Sequence, residues 1–195
     1  MSGSGPPTNG RGLEGVIKAA GEQPPERGLP PVHLWNPAHC GEIDIVIKRD
    51  GTWFHEGTPI GREALVRLFS TVLRLDPDGH HLVTPAEKLK ITVEDAPFTA
   101  VRVDRDGQRL VFVTNVGDRV VAGPEHAITV GTEPGTEEPA PYLHVRRGLQ
   151  ARINRPVFYE LVEMAEERDT PAGPQLGVES DGAFFPVGPA GAHRL

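Results

Sequence analysis

Cysteine is nearly absent: Cys40 stands alone in 195 residues. That excludes an internal disulfide and any zinc site built on several thiolates. Aromatic residues make up 6% of the chain and apolar residues 37%, so only a small core is available. No apolar run approaches the about 18 residues that a membrane helix needs. The opening Met1-Ser2-Gly3-Ser4-Gly5-Pro6-Pro7 lacks the apolar stretch of a secretion signal. Basic residues are the minority, 20 against 27 acidic ones, and the net charge of −7 argues against a nucleic-acid coat or a membrane-surface binder. The expectation is a cytoplasmic protein with neither a nucleic-acid polymer nor a membrane among its partners. What the chain has in quantity is Gly (23) and Pro (20), crowded toward the two ends. That distribution describes a folded middle between loose ends.

The middle reads as mixed α and β. Ile43-Asp44-Ile45-Val46-Ile47, then Asp50-Gly51, then Thr52-Trp53-Phe54 is a hairpin signal. Leu65, Leu68, Phe69, Val72 and Leu73 recur at helical spacing, which predicts a helix over residues 62–74 stopped by Pro77 and Gly79. Alternation from Leu89 onward, with further β runs at 99–103, 110–114, 120–121 and 128–130, predicts an antiparallel meander over 80–131. Residues 133–141 are rich in Pro and Gly and read as a linker. Strands at 142–147 and 149–153, a helix at 155–168 and a hairpin at Asp181-Gly182 follow. The helix beginning Ile60-x-Arg62 and the one beginning Ile153-x-Arg155 share a pattern, as do the two Asp-Gly hairpins. Reuse of a βα piece and chance likeness both explain that.

Several stretches carry a family likeness: Trp35-Asn36-Pro37 with Cys40-Gly41 and Ile43-Asp44, Gly57-x-Pro59-Ile60-x-Arg62, and Leu82-Val83-Thr84-Pro85-x-Glu87-Lys88 running on to Val93–Phe98. Over residues 30–190 the chain resembles the domain of unknown function 1285 family of proteobacterial proteins. His81 stands where an aromatic residue would be expected. The resemblance implies an α+β fold of two β-rich halves, each with antiparallel strands and one main helix, the second loosely pleckstrin-homology-like. It also implies a small-molecule site between the halves, for a nucleotide-like ligand in signalling. No activity comes with it. The expected layout is a loose arm over 1–31, an N-terminal half over 32–103, a C-terminal half over 104–190 and a tail over 191–195.

No metal or other cofactor is expected. The histidines are scattered or adjacent, without metal-ligand spacing, and Asp76-x-Asp78-Gly79 and Asp104-x-Asp106-Gly107 lack the terminal carboxylates of a calcium loop. Cys40 beside His39 reads as packing, and Ser70 lies inside a helix. Two features remain. Thr84-Pro85-Ala86-Glu87-Lys88 is a capping-like turn that either braces itself or offers a hydroxyl and an ammonium to an anion. Arg146, Arg147, Arg152 and Arg155 occur between Glu138 and Glu160 with no acid among them, either a solvated face or an anion site. The candidate ligand-binding residues are Trp53, Arg62, Thr84, Glu87, Lys88 and Arg155, serving a small anionic ligand. The alternatives are an enzyme acting on a phosphorylated or carboxylated metabolite with Glu87 as general base, and a protein-interaction module offering an open strand edge.

Overall fold

The computed structural model describes residues 11–21, 28–136 and 138–191. The chain is α+β and divides into two units: residues 1–46 with 54–92, and residues 47–53 with 93–195. The turn inside the first hairpin therefore groups with the second unit.

In the first unit, β3 (Thr58–Pro59), β2 (Trp53–His55), β1 (His39–Ile47), β6 (Glu87–Val93), β5 (Gly79–Val83) and β4 (Leu73–Asp76) lie side by side in that order in one sheet. Two helices, α1 (Arg11–Gly21) and α2 (Glu63–Thr71), accompany it and pack on each other. Ile45, Phe69, Val72, Leu73 and Leu82 are buried in its core. Helix α2 is shorter than the periodicity suggests. Ser70 and Thr71 donate their hydroxyls back to the carbonyls of Arg67 and Leu68, and the chain turns into β4. Asp76-Pro77-Asp78-Gly79 then closes a hairpin in which Asp76 faces Gly79, instead of simply stopping a helix.

The expectation of a loose arm over 1–31 is corrected for residues 11–21. They form α1, with Val16 and Ala20 buried. The helix lies over β6: a Cβ at Gly15 would come 2.5 Å from Glu87 Oε1, and one at Gly12 would come 3.3 Å from Leu89 Cδ1. Two glycines on one face of a short helix permit that approach, which composition alone reads as flexibility. Residues 1–10 and 22–27 lie outside the described residues, as do 192–195 of the expected tail.

The second unit is built on a six-stranded sheet, in the order β10 (Ile128–Thr132), β11 (Pro139–Arg146), β12 (Leu149–Ile153), β7 (Phe98–Asp106), β8 (Arg109–Thr114) and β9 (Arg119–Val121). β7–β8–β9 and β10–β11–β12 are antiparallel meanders, joined by a parallel pairing of β12 with β7. The single meander expected over 80–131 is thus split: β5 and β6 belong to the first sheet and β7 begins the second. The boundary expected at 103/104 would cut β7, whereas the units part before Val93. The stretch expected as a linker, 133–141, is the hairpin connection of β10 to β11, closed by Glu133 N–H donating to the Glu138 carbonyl at 2.8 Å.

Helix α3 (Arg155–Glu163) follows β12, and β13 (Glu166–Thr170), β14 (Gly173–Ser180) and β15 (Ala183–Pro189) form a three-stranded sheet. The end of the expected helix over 155–168 is β13 instead. Ser180 ties the two sheets of this unit: its buried hydroxyl donates to the Ala122 carbonyl at 2.7 Å and accepts from Leu110 N–H at 2.8 Å. Phe98, Leu110, Phe112, Leu143, Leu149, Ile153 and Leu161 fill the core between.

Candidate functional site

The β12–α3 junction sets up a cleft. Along β12, Leu149, Ala151 and Ile153 point into the core, so the alternate residues Gln150 and Arg152 turn outward. The chain then enters α3 through Asn154-Arg155-Pro156. Asn154 is the N-cap, its side-chain oxygen accepting from Val157 N–H at 3.0 Å, and proline follows within the first turn, where its missing N–H costs nothing. This geometry leaves Arg155 exposed at the lip. The cleft measures about 390 Å³ and lies wholly within the second unit. Val101, Pro139, Pro141 and Phe158 give it an apolar wall, and Arg49, Arg152 and Arg155 supply positive charge beside Asp50 and Glu138.

Two of these arginines are already engaged. Arg152 donates to Asp95 Oδ2 at 2.9 Å, lies 3.7 Å from Glu133 Oε2, and stacks over the Tyr142 ring. Tyr142 donates its hydroxyl to the other oxygen of Asp95 at 2.6 Å. Burial, reinforced by that bond to Asp95, pushes the phenol up to about 12. The guanidinium of Arg152 is raised by Asp95 against the opposing, largest effect of burial. Arg49 donates to Glu133 Oε1 and to the Pro134 carbonyl, both at 3.0 Å. Arg155 has no carboxylate within ion-pair distance among the described residues.

Gly51 shapes the same region. Its φ of +88° is the left-handed turn of the first hairpin, and a Cβ there would come 2.6 Å from Thr99 Oγ1. Its carbonyl accepts from Asn115 Nδ2 at 3.3 Å, and Asn115 Oδ1 accepts from Thr99 N–H at 3.0 Å. That close packing holds Arg49 and Asp50 at the edge of the cleft. Thr99, 8% exposed, also lines the cleft, with its hydroxyl buried and unpartnered among the described residues.

The other sequence candidates fall elsewhere. Trp53 is 1% exposed, so it belongs to the core and offers no face for stacking. Arg62 is the exposed N-cap of α2 and makes no side-chain capping bond. Thr84 is buried, and its hydroxyl accepts from Glu87 N–H at 3.1 Å, closing the β5–β6 turn on itself. Lys88 does not reach toward Thr84: its ammonium donates to Asp76 Oδ2 at 3.1 Å. Asp76 also takes Arg74 at 2.7 and 2.8 Å, and these partners hold its carboxyl below the usual range against the effect of burial. Asp76, Asp78 and His81 gather within 4.8 Å of one another, but both oxygens of Asp76 are spoken for by Arg74, and Lys88 adds to one of them. Glu87 lies 9% exposed and faces α1, with its carboxyl raised by burial and only partly drawn back by His39. Glu87 and Lys88 are successive strand residues and turn to opposite sides, so they do not form a base and its electrostatic partner.

Residues 30–96 match the family described as "Domain of unknown function (DUF1285), N-terminal domain", and residues 97–187 match "Protein of unknown function (DUF1285), C-terminal domain". The chain belongs to the DUF1285 family. A crystal structure of a DUF1285 family protein from Silicibacter pomeroyi DSS-3 is 47% identical, with a TM-score of 0.80 over 90% of this chain and 95% of that one. A DUF1285 family protein from Shewanella baltica OS155 is 27% identical, with a TM-score of 0.49 over 61% of this chain and 90% of that one. No curated protein matches the chain. No helix among the described residues is long and apolar enough to cross a membrane.

Sequence reasoning missed Arg49, Asp95, Glu133, Tyr142 and the Gly51 contact. Asp95 falls within the Val93–Phe98 stretch on which the family likeness rests, and that was the available signal. The acid-free run from Arg146 to Arg155 is balanced by acids from distant segments. Arg146 pairs with Asp118, and Arg152 with Asp95 and Glu133.

Proposed function

We propose that this DUF1285 protein is a cytoplasmic small-molecule-binding protein that takes an anionic ligand in the cleft at the start of α3, in a sensing or signalling role. The ligand class spans nucleotide-like molecules and organic acids. One observation carries the reading: Arg155 borders a ligand-sized cleft and has no acidic partner among the described residues, while Arg49 and Arg152 beside it are tied down by Glu133 and Asp95. A cation left uncommitted beside an apolar wall is what a small anion with an organic body needs. An enzyme reading draws no support from this cleft. The carboxyl raised by burial, Glu87, is not among the residues that line it.

The test is thermal denaturation of the parent and of Arg155→Gln, with millimolar AMP or hydrocinnamate and with their neutral counterparts adenosine and hydrocinnamamide. A ligand at 100 times its Kd adds about 2.7 kcal/mol to stability. At least one anion should raise the parent's Tm, its neutral counterpart should not, and Arg155→Gln should lose the effect. No anion-specific shift, or an equal shift in the variant, would overturn the proposal.

A further inference from the structure

We infer that the cleft at the start of α3 selects a singly charged organic acid with an apolar body and discriminates against phosphate esters and polyphosphates. This rests on the ligand-binding reading above and narrows it. Charge bookkeeping supplies the first argument. Arg49 and Arg152 spend their charge on Glu133 and Asp95, so among the described residues Arg155 is the one cleft cation without an acidic partner. Asp50 and Glu138 also line the walls. A ligand's first negative charge finds Arg155, and each further charge meets carboxylates instead of a free cation.

The helix supplies the second argument. Phosphate sites at helix N-termini work by presenting several free backbone N–H groups together. Here Pro156 has none, Val157 N–H is taken by the Asn154 side chain at 3.0 Å, and Phe158 N–H by the Asn154 carbonyl at 2.9 Å. Among the described residues, the Arg155 N–H is the one left without a partner in the first turn. One guanidinium fork suits the two oxygens of a carboxylate, and the row of free backbone N–H groups that phosphate sites at helix starts rely on is missing. The wall is the third argument. Val101, Pro139, Pro141 and Phe158 offer hydrocarbon and an aromatic ring, which recognise an apolar body.

The experiment is calorimetric titration of the full chain at fixed ionic strength with hydrocinnamate, phenyl phosphate and ATP, repeated on Arg155→Gln and Glu138→Gln. Hydrocinnamate should bind at least about 10-fold more tightly than phenyl phosphate or ATP and lose about 10-fold or more in Arg155→Gln. Glu138→Gln, an exposed side chain whose loss threatens no core contact, should narrow the gap to phenyl phosphate by roughly 3-fold or more. Tighter binding of phenyl phosphate or ATP, still dependent on Arg155, would overturn the charge selectivity and leave the anion-site reading standing. So would a gap that Glu138→Gln does not move. No binding, or binding indifferent to Arg155→Gln, would overturn both.

Discussion

Glu87 shows how far a single residue's neighbourhood escapes its sequence. A Thr-Pro-x-Glu pattern is legible as a turn, and the turn is there, held by the Thr84 hydroxyl and the Glu87 N–H. Where the carboxyl goes depends on α1, which arrives from more than sixty residues earlier and seats Gly15 on it. Burial lifts the Glu87 carboxyl above its ordinary value of 4.5, so in that window the folded state binds more protons than the unfolded one. Stability from this group therefore falls as the pH rises through the window, and the ionised form is a cost at neutral pH. Glu87→Gln should be more stable than the parent near pH 7, and the difference should shrink toward zero below about pH 4.5. Thermal denaturation of the pair across pH checks this, since other titrating groups cancel in the difference. A variant less stable at neutral pH would show that the carboxylate is needed there. Lys88 teaches the same lesson. Its charge is plain in the sequence, but its partner Asp76 is reached only through the β4–β5–β6 register.

At the scale of elements, strong local chemistry was legible and borderline chemistry was not. The Asp50-Gly51 and Asp181-Gly182 turns are found where their residues demand them, with positive φ at Gly51 and Gly182. Helix α2 was legible in its first two turns and overextended at its end, because Val72 and Leu73 are buried whether the backbone is helix or strand. Burial alone does not report the period. The connection over 133–141 misled because Pro and Gly mark a hairpin loop as readily as a linker. Gly- and Pro-rich composition marks 1–31 as a loose arm, yet α1 within it carries an apolar face from Leu13 to Ala20. Val16 is 0% exposed, so Val16→Asp should destabilise the chain by about 2–4 kcal/mol, a Tm drop of roughly 5–15 °C. Lys18→Asp, on the exposed side of the same helix, should change the Tm little. No loss of stability from Val16→Asp would mean that α1 contributes nothing to the fold.

At the scale of the whole molecule, the two β-rich units were legible through the family likeness, and their boundary was not. The family divides between Ala96 and Pro97, and the units part at 92/93 with residues 47–53 exchanged. That exchange brings Arg49 and Asp50 to the cleft. The cleft draws on four separated stretches, at 49–50, 99–101, 138–141 and 152–158, so no local pattern could announce it. The place of Arg155 at the start of a helix was legible, because Asn154 and Pro156 mark that start. That it has no ion-pair partner among the described residues was not, since Asp95 and Glu133 are taken by the neighbouring Arg152 and Arg49. The most direct measurement is a crystal structure of the full chain grown with saturating hydrocinnamate. The account expects the carboxylate within hydrogen-bond distance of Arg155 and the ring against Phe158 and Val101. Hydrocinnamate bound elsewhere on the chain, with Arg155 untouched, would contradict it.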